Sequence, residues 1–253
     1  MAPHVTHPAR GPGVSVLIPL FNGVEFLPEC LASVRAQAHR EIEILVGVNG
    51  HAADSPVLAR ARELACERTR VLHTETRSAP RARNWLAREA CHEIVCPLDV
   101  DDLWLPRKLS AQLAVWGRGS DVIGTGCEYF GDLDGAPRLP LGRVPRRAFF
   151  AANPMIHSSV MMRRDDVRFR DVDLHDYDLW LRLEASGRRF FNLPEELVRH
   201  RVHGASSFNT RPDAEQRKRD LLVRHAGSER AVRRARRPWP FGGRPRGITL
   251  DEP

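Results

Sequence analysis

The chain has 253 residues, of which 42% are hydrophobic and 28% are charged, a composition typical of a globular protein. This length allows one α/β domain with a buried core and a ligand-binding cleft. Five scattered cysteines without a CxxC pair argue against a disulfide framework and a zinc ribbon. The sequence has no run of eighteen apolar residues and no apolar leader, so we expect a cytoplasmic protein.

The net charge of +7 is concentrated near the C-terminus. Residues 209–253 carry twelve Lys and Arg against six Asp and Glu, which accounts for +6 of the total. A basic run rich in Arg, Pro and Gly is typical of a solvated terminal segment, and we expect a basic, partly disordered tail there. A nucleic-acid-binding module acting through this tail is disfavoured but stays an alternative, as does peripheral contact with anionic lipid.

The N-terminal half alternates between short apolar runs and amphipathic stretches. Strands are predicted at residues 14–19, 42–48, 71–72 and 94–98, and helices at residues 26–38, 57–68 and 82–90. Helices between strands imply right-handed crossovers and a mainly parallel sheet that is covered on both faces. The predicted class is therefore α/β, and in such sheets ligands bind beyond the carboxyl ends of the strands.

The second half has a weaker pattern. A helical stripe follows residue 102, an apolar run at residues 122–125 predicts a strand, and a helix is predicted from residue 176 to 186 with Gly187 as its stop. The Gly- and Pro-rich stretch 131–145 predicts a loop or an excursion that links two strands.

The segment CPLDVDDLWLP, residues 96–106, places Asp99, Asp101 and Asp102 directly after a predicted strand. Three carboxylates this close together are costly unless a cation lies among them. Hard oxygen ligands select Mg²⁺ or Mn²⁺, which typically bridge carboxylates and substrate phosphates. On these residues alone, a solvated acidic turn before the next helix is the alternative.

Five segments recur in a familiar order: VSVLIPLFN, RARNWL, CPLDVDDLWLPRKL, HDYDLWLRL and HRVHGASS. Together they resemble the signature series of the family 2 glycosyltransferases. We expect a disordered N-terminus at residues 1–12. The resemblance implies a single GT-A domain at residues 13–208, with a donor-binding half at about 13–115 and an acceptor half at about 116–208. It further implies an inverting transferase that moves a sugar from a nucleotide-diphosphate donor to a carbohydrate or lipid-linked acceptor in polysaccharide biosynthesis.

The same resemblance assigns roles to individual residues. Asp176 would be the general base, and the metal ligands would be Asp101, Asp99 and His203. Asp102 would cap the next helix or hold its neighbours in place. The segment His157 to Ser159 would lie on the acceptor side. The donor would be bound by Pro19, Phe21, Asn22, Asn49, Arg83, Asn84, Asp99 and Arg201.

The chain departs from the family pattern at three places. Val48 and Asn49 stand where similar enzymes carry an acidic pair, His175 stands in place of Glu, and His200 stands in place of Tyr. These departures leave the nucleotide open. They also leave a catalytically inert sugar-nucleotide-binding protein as an alternative.

Overall fold

A computed structural model describes residues 11–204 and 213–235. Within these ranges the strands are β1 (Val14–Leu20), β2 (Ile42–Asn49), β3 (Thr69–Thr74), β4 (Ile94–Pro97), β5 (Leu103–Trp104), β6 (Val122–Gly131), β7 (Gly142–Arg143), β8 (Met161–Arg163) and β9 (Phe190–Val202). The helices are α1 (Leu27–Arg35), α2 (Pro56–Glu63), α3 (Ala79–Glu89), α4 (Lys108–Val115), α5 (Arg146–Ala151), α6 (His175–Ala185), α7 (Ala214–Ala226) and α8 (Glu229–Ala235).

The strands form one sheet in the order β3-β2-β1-β4-β8-β6-β9-β5, with β7 paired to β9. The first four strands are parallel, with β1 between β2 and β4, as the alternation of strands and helices predicted. Beyond β4 the sheet is mixed. Strand β8 is antiparallel to β4 and β6, and β9 is parallel to β6 but antiparallel to β5 and β7.

The sheet is covered on both faces, because its central strands bury side chains on both sides. On one face, Val16 and Ile18 of β1 pack in a cluster with Leu31 of α1. On the other face, Leu17 lies in a cluster with Leu86 of α3 and with apolar residues of α5 to α8. Because both of its faces are buried, β1 has a continuous run of apolar residues.

Residues 214–235 fall in the segment that the sequence predicts as a tail, yet they form α7 and α8. Leu221 and Leu222 of α7 and Val232 of α8 are buried in the cluster that also contains α6. This part of the predicted tail therefore packs on the domain. The predictions for residues 1–10, 205–212 and 236–253 lie outside the described residues.

Five other elements differ from the sequence-based expectation. Strands β8 and β9 and helix α5 were not predicted, and β6 runs on to Gly131. The short β7 lies in residues 131–145, which were predicted as a loop or an excursion that links two strands. None of the helices in the described ranges combines the length and apolar character that a membrane span requires.

Candidate active site

The acidic loop, residues 98–102, follows β4 at the edge of the sheet where β1 and β2 also end. Its three carboxylates lie in different environments. Asp102 is buried, whereas the side chains of Asp99 and Asp101 are partly exposed. Because an incoming ligand meets only accessible groups, Asp99 and Asp101 are the members of this loop suited to binding.

Asp99 forms an ion pair with Arg83 of α3. Nη2 of Arg83 lies 2.5 Å from Oδ1 of Asp99, and Nε2 of His157 lies 4.0 Å from the same oxygen. Burial raises the pKa of Asp99, but the positive charge of Arg83 outweighs this effect and holds the pKa well below its usual range. Asp99 is therefore ionised at neutral pH.

Asp101 faces His203, just beyond the end of β9. Oδ2 of Asp101 lies 3.2 Å from Nε2 of His203. Burial, together with the negative charges of Asp102 and Asp99, raises the pKa of Asp101 to about 6. A carboxylate held among like charges gains from a bound cation.

The acidic loop and His203 together fit a metal ion that also binds a phosphate ligand. In the part of the chain that the structure describes, no three His, Cys, Asp or Glu side chains are grouped to hold a metal ion. Mg²⁺ at phosphate sites typically takes only one or two carboxylates and completes its shell with water and phosphate oxygens. The partly exposed Asp99 and Asp101 meet that smaller requirement, and His203 lies beside Asp101.

Asp102 joins three segments of the chain. Its carboxylate accepts hydrogen bonds from Oγ of Ser158 (2.5 Å), from the backbone N–H of Arg201 (3.0 Å) and from Nδ1 of His200 (2.9 Å). Burial lowers the pKa of His200, but the hydrogen bond and the charge of Asp102 raise it to about 9. Helix α4 begins after Arg107 without a side-chain cap, so of the two predicted roles Asp102 fulfils that of holding its neighbours.

Arg83 connects the acidic loop to α6. Its Nε donates to Nε2 of His157 (3.1 Å), its Nη1 lies 2.9 Å from Nε2 of His175, and its Nη2 bonds to Asp99. Burial lowers the pKa of His157 to about 4 against the opposing charge of Asp99, so this imidazole is neutral and can accept from Arg83. The guanidinium predicted to contact the donor therefore already has three protein partners.

Helix α6 carries Asp176 in its first turn, where the helix dipole favours a negative side chain. Oδ2 of Asp176 accepts a hydrogen bond from Nδ2 of Asn153 at 3.0 Å, which fixes the carboxylate. Asp178, two residues further along the helix, is fully buried and bonded to Arg182 and His225. Asp178 is therefore structural, while Asp176 remains accessible for chemistry.

The end of β1 and the end of β2 form an aromatic surface. Phe21 is exposed after β1, and its ring lies 5.7 Å from that of His51, which also bonds to the carbonyl oxygen of Phe21. Gly50 has a φ of +74°, and a Cβ there would lie 2.7 Å from the Phe21 ring. Glycine therefore allows the aromatic ring to lie against the loop.

Asn49, the last residue of β2, is buried beneath this surface. Its Nδ2 donates to the carbonyl oxygen of Thr76 at 3.4 Å, and no group among the described residues donates to its Oδ1. A buried oxygen without a partner is unusual and costly. Among the described residues, Asn49 therefore carries an unpaired acceptor inside the domain.

Two residues that are predicted to contact the donor also make bonds within the protein. The amide of Asn84 accepts from the backbone N–H of Phe169 and donates to its carbonyl oxygen, which ties α3 to the segment before α6. Arg201 bonds to Glu29 and to the carbonyl oxygen of Asp101, and its guanidinium lies over the ring of Phe130. Pro19 is half-buried in β1, and Asn22 is exposed beyond it.

The family model described as Glycosyl transferase family 2 matches residues 15–177. The chain belongs to this family. It is 30% identical over 208 residues to the putative glycosyltransferase EpsE of Bacillus subtilis, covering 76% of this chain and 73% of EpsE. It is 29% identical over 210 residues to the amylovoran biosynthesis glycosyltransferase AmsE of Erwinia amylovora, covering 78% of this chain and 79% of AmsE.

The solved structures that resemble this glycosyltransferase have the GT-A fold. S. aureus TarS 1–349 in complex with UDP matches with a TM-score of 0.64 and 18% identity, covering 88% of this chain and 69% of TarS 1–349. The mannosyltransferase PcManGT from Pyrobaculum calidifontis in complex with GDP-Man and Mn²⁺ matches with a TM-score of 0.64 and 19% identity, covering 89% and 65% of the two chains. The α/β fold class predicted from the sequence is therefore confirmed.

The sequence pattern did not identify Asn153 as a residue of the site. Asn153, which bonds to Asp176, lies in a stretch without a helical or strand pattern. Ser158, expected on the acceptor side, donates to Asp102 and accepts from the backbone N–H of Asp99. The only local signal for Asn153 is the Asn-Pro dipeptide, which indicates a turn and no chemistry.

Proposed function

We propose that this glycosyltransferase moves a sugar, with inversion, from a nucleotide-diphosphate donor to a carbohydrate or lipid-linked acceptor. Asp176 acts as the general base, and Mg²⁺ or Mn²⁺ binds at Asp101 with Asp99 and His203. The observation that carries this proposal is the bonded path from Asp99 through Arg83 to His175, the neighbour of Asp176. This path joins the acidic loop to the helix of the base.

The chemistry is a single displacement. The acceptor hydroxyl attacks the anomeric carbon while its proton passes to a carboxylate oxygen of Asp176. The bond from that carbon to the phosphate oxygen breaks, and the nucleoside diphosphate leaves with the electron pair. A divalent ion held by Asp101, Asp99 and His203 would neutralise charge on the leaving diphosphate. Proton removal by a positioned carboxylate contributes a rate factor of about 10² to 10⁴.

The nucleoside subsite lies at the ends of β1 and β2. We assign the face of the base to the exposed ring of Phe21 and the edge of the base to the end of β2 at Asn49. Pro19 and Asn22 form the adjoining wall. The TarS and PcManGT structures with UDP and GDP-Man support a nucleotide donor, and the Mn²⁺ of PcManGT supports a divalent ion.

The donor half corresponds to about residues 13–115 and the acceptor half to about residues 116–208. We further propose a role in polysaccharide biosynthesis in the cytoplasm, with peripheral contact of the basic C-terminal segment at the inner face of the membrane. The name of AmsE supports the first part, since it refers to amylovoran biosynthesis. The concentration of Arg in residues 209–253 supports the second.

The proposal is tested with a donor panel of UDP-GlcNAc, UDP-glucose and GDP-mannose. Thermal stabilisation with and without MnCl₂ reports donor binding, and release of UDP or GDP with octyl glycosides as acceptors reports transfer. We expect Asp101→Ala to lose the Mn²⁺-dependent stabilisation, because the metal then lacks its main ligand. We expect Asp176→Asn to keep that stabilisation and to lose about 10²- to 10⁴-fold in transfer rate.

Asp165→Asn is the matched control. It removes an exposed carboxylate just after β8, which lies beside the start of β4. The acidic loop follows the other end of β4. This variant should behave as wild type in both assays. Undiminished transfer by Asp176→Asn would contradict the assignment of the base, and Mn²⁺-dependent stabilisation of Asp101→Ala would contradict that of the metal site.

A further inference from the structure

Helix α6 begins in a strained conformation. Leu174, the residue before it, has φ 52° and ψ 42°, and it is the one non-glycine residue with positive φ in the described ranges. An L-residue with a large side chain is disfavoured there because its Cβ crowds the backbone. Such conformations persist only where the surroundings hold them, and they cluster at functional sites. Asp176 follows two residues later.

Helix α7 holds the chain on both sides of Leu174. Before it, Oδ2 of Asp173 accepts a hydrogen bond from Nη1 of Arg217 at 3.0 Å. After it, Oδ1 of Asp178 accepts a hydrogen bond from Nε2 of His225 at 2.9 Å. The backbone N–H of Asp178 in turn bonds to the carbonyl oxygen of Leu174 at 2.8 Å. Two side chains of one helix therefore bracket the strained turn.

The second of these contacts is buried. Asp178 has no exposed surface, and Arg182 from its own helix donates to its other oxygen at 2.8 Å. Burial raises the pKa of Asp178, but the hydrogen bonds from His225 and Arg182 lower it to about 2. Asp178 is thus an ionised anchor at neutral pH. Since Arg182 lies on α6 itself, His225 is the partner that links the anchor to another helix.

Helix α7, which carries Arg217 and His225, lies outside the residues that the family model matches. The family match ends at residue 177, whereas α7 begins at Ala214. Leu221 and Leu222 fix α7 in the core beside Tyr177 and Leu179. The contacts of Arg217 and His225 are therefore made by a well-packed helix that the family match does not include.

We infer that α7 is a positioning element for the general base: Arg217 and His225 hold the strained start of α6 and thereby orient the carboxylate of Asp176. This inference rests on the proposed function, in which Asp176 takes the proton of the acceptor. Arg217 and His225 touch no reacting atom. Their loss shifts the base relative to the acceptor hydroxyl and leaves the donor subsite intact.

The test compares Arg217→Ala, His225→Ala and the double variant with the control Arg219→Ala, which removes an exposed arginine from the same helix. UDP or GDP release is measured with the donor panel above and octyl glycosides, at a temperature well below the melting point of each variant. We expect kcat to fall by about ten- to a hundredfold in the double variant, since small misplacement of a reacting group costs this much, with the KM for donor unchanged. Arg219→Ala should match wild type.

Two further measurements separate positioning from a general loss of structure. His225→Gln retains a side-chain N–H donor and should restore most of kcat. Amide hydrogen exchange should rise in the peptide spanning residues 170–185 of the double variant and stay at the wild-type level in β1 to β4. Unchanged kcat and unchanged exchange in that peptide would overturn the inference.

The experiment also distinguishes this inference from the proposed function. If Asp176→Asn abolishes transfer while the double variant keeps full kcat, the base assignment stands and the role of α7 is wrong. If Asp176→Asn retains full transfer, the proposed function fails first. The exchange measurement still tests whether α7 holds the start of α6.

Discussion

A substitution at Asp102 tests whether this buried carboxylate stabilises the fold while the accessible Asp101 serves ligand binding. Asp102→Asn turns one acceptor oxygen into an NH₂ group that faces the donors Ser158 and His200. It also removes the buried carboxylate that pairs with the partly exposed, positively charged His200. Removing one member of a buried ion pair costs about 3–5 kcal/mol. A domain is stable by only about 5–15 kcal/mol, so we expect a large loss.

Urea unfolding in the presence of a chelator measures this loss, with Asp101→Asn as the matched neighbour. Asp101 is partly exposed and lies among like charges, so its neutralisation should leave the free energy of unfolding within about 1 kcal/mol of wild type or raise it. Asp102→Asn should lower it by about 3–5 kcal/mol. Equal losses in the two variants, or a loss below about 1 kcal/mol for Asp102→Asn, would refute this division of roles.

Three further predictions concern other parts of the molecule. Arg83→Lys supplies one ammonium where three nitrogens now reach His157, His175 and Asp99, so kcat for UDP or GDP release should fall by about tenfold or more; an unchanged kcat would count against the bonded path. Phe21→Ala should weaken donor binding in thermal-shift titrations by about ten- to a hundredfold, since base–aromatic stacking is worth about 1–3 kcal/mol, and equal affinity would place the base elsewhere. Burial raises the pKa of Glu43, but hydrogen bonds from Cys91, Ser15 and Arg70 lower it to about 2. Its contribution to stability, at most about 3 kcal/mol, is therefore present above about pH 4.5 and lost as the pH falls towards 2. Glu43→Gln should be less stable than wild type at pH 7, and in urea unfolding this difference should shrink over that range; a constant difference would contradict the shift.

The N-terminal half of the fold was predictable because local signals and packing agree there. In β1 and β2 the apolar runs are continuous, since both faces of these strands are buried, and α1 and α3 bear apolar residues at helical spacing. The pairs β1–β2 and β2–β3 join strands that are neighbours in the sequence, whereas β4 pairs with β1. The boundaries shifted by a few residues, but the order of elements did not change.

Strand β9 was missed because its local signals conflict with its structure. Pro194 and two glutamates interrupt the run FFNLPEELVRHRV, a composition that disfavours a strand. The strand forms because β6, β5 and β7 pair with it, and its register against β6 shifts on either side of Gly126. These partners lie far away in sequence, so no window of residues reveals them.

Helix α7 was hidden by composition. Its buried face depends on Leu221 and Leu222, which stand among Arg and Lys residues that dominate any average over the segment. Lys and Arg are good helix formers as well as solvated charges, so a basic run is compatible with a packed helix. Only the tertiary contacts of the two leucines separate these cases.

The candidate site was predictable in its residue types and not in its division of labour. The sequence identified three carboxylates after β4, but the partners that bury Asp102 and leave Asp101 accessible are Ser158, His200 and Arg201, 56 to 99 residues further along the chain. The local spacing therefore indicates a cluster of carboxylates after β4. Distant segments decide which carboxylate is structural.

The departures from the family pattern all change charge in one direction. Val48 and Asn49 remove two acidic side chains beside the nucleoside subsite, and His175 removes a third beside Asp176. His200 adds a positive charge next to Asp102 where the pattern has a neutral Tyr. His175 also accepts from Arg83 without competing as a carboxylate, which leaves the charge of Arg83 directed at Asp99. Because a diphosphate is repelled by nearby carboxylates, we expect these replacements to favour binding of the proposed anionic donor.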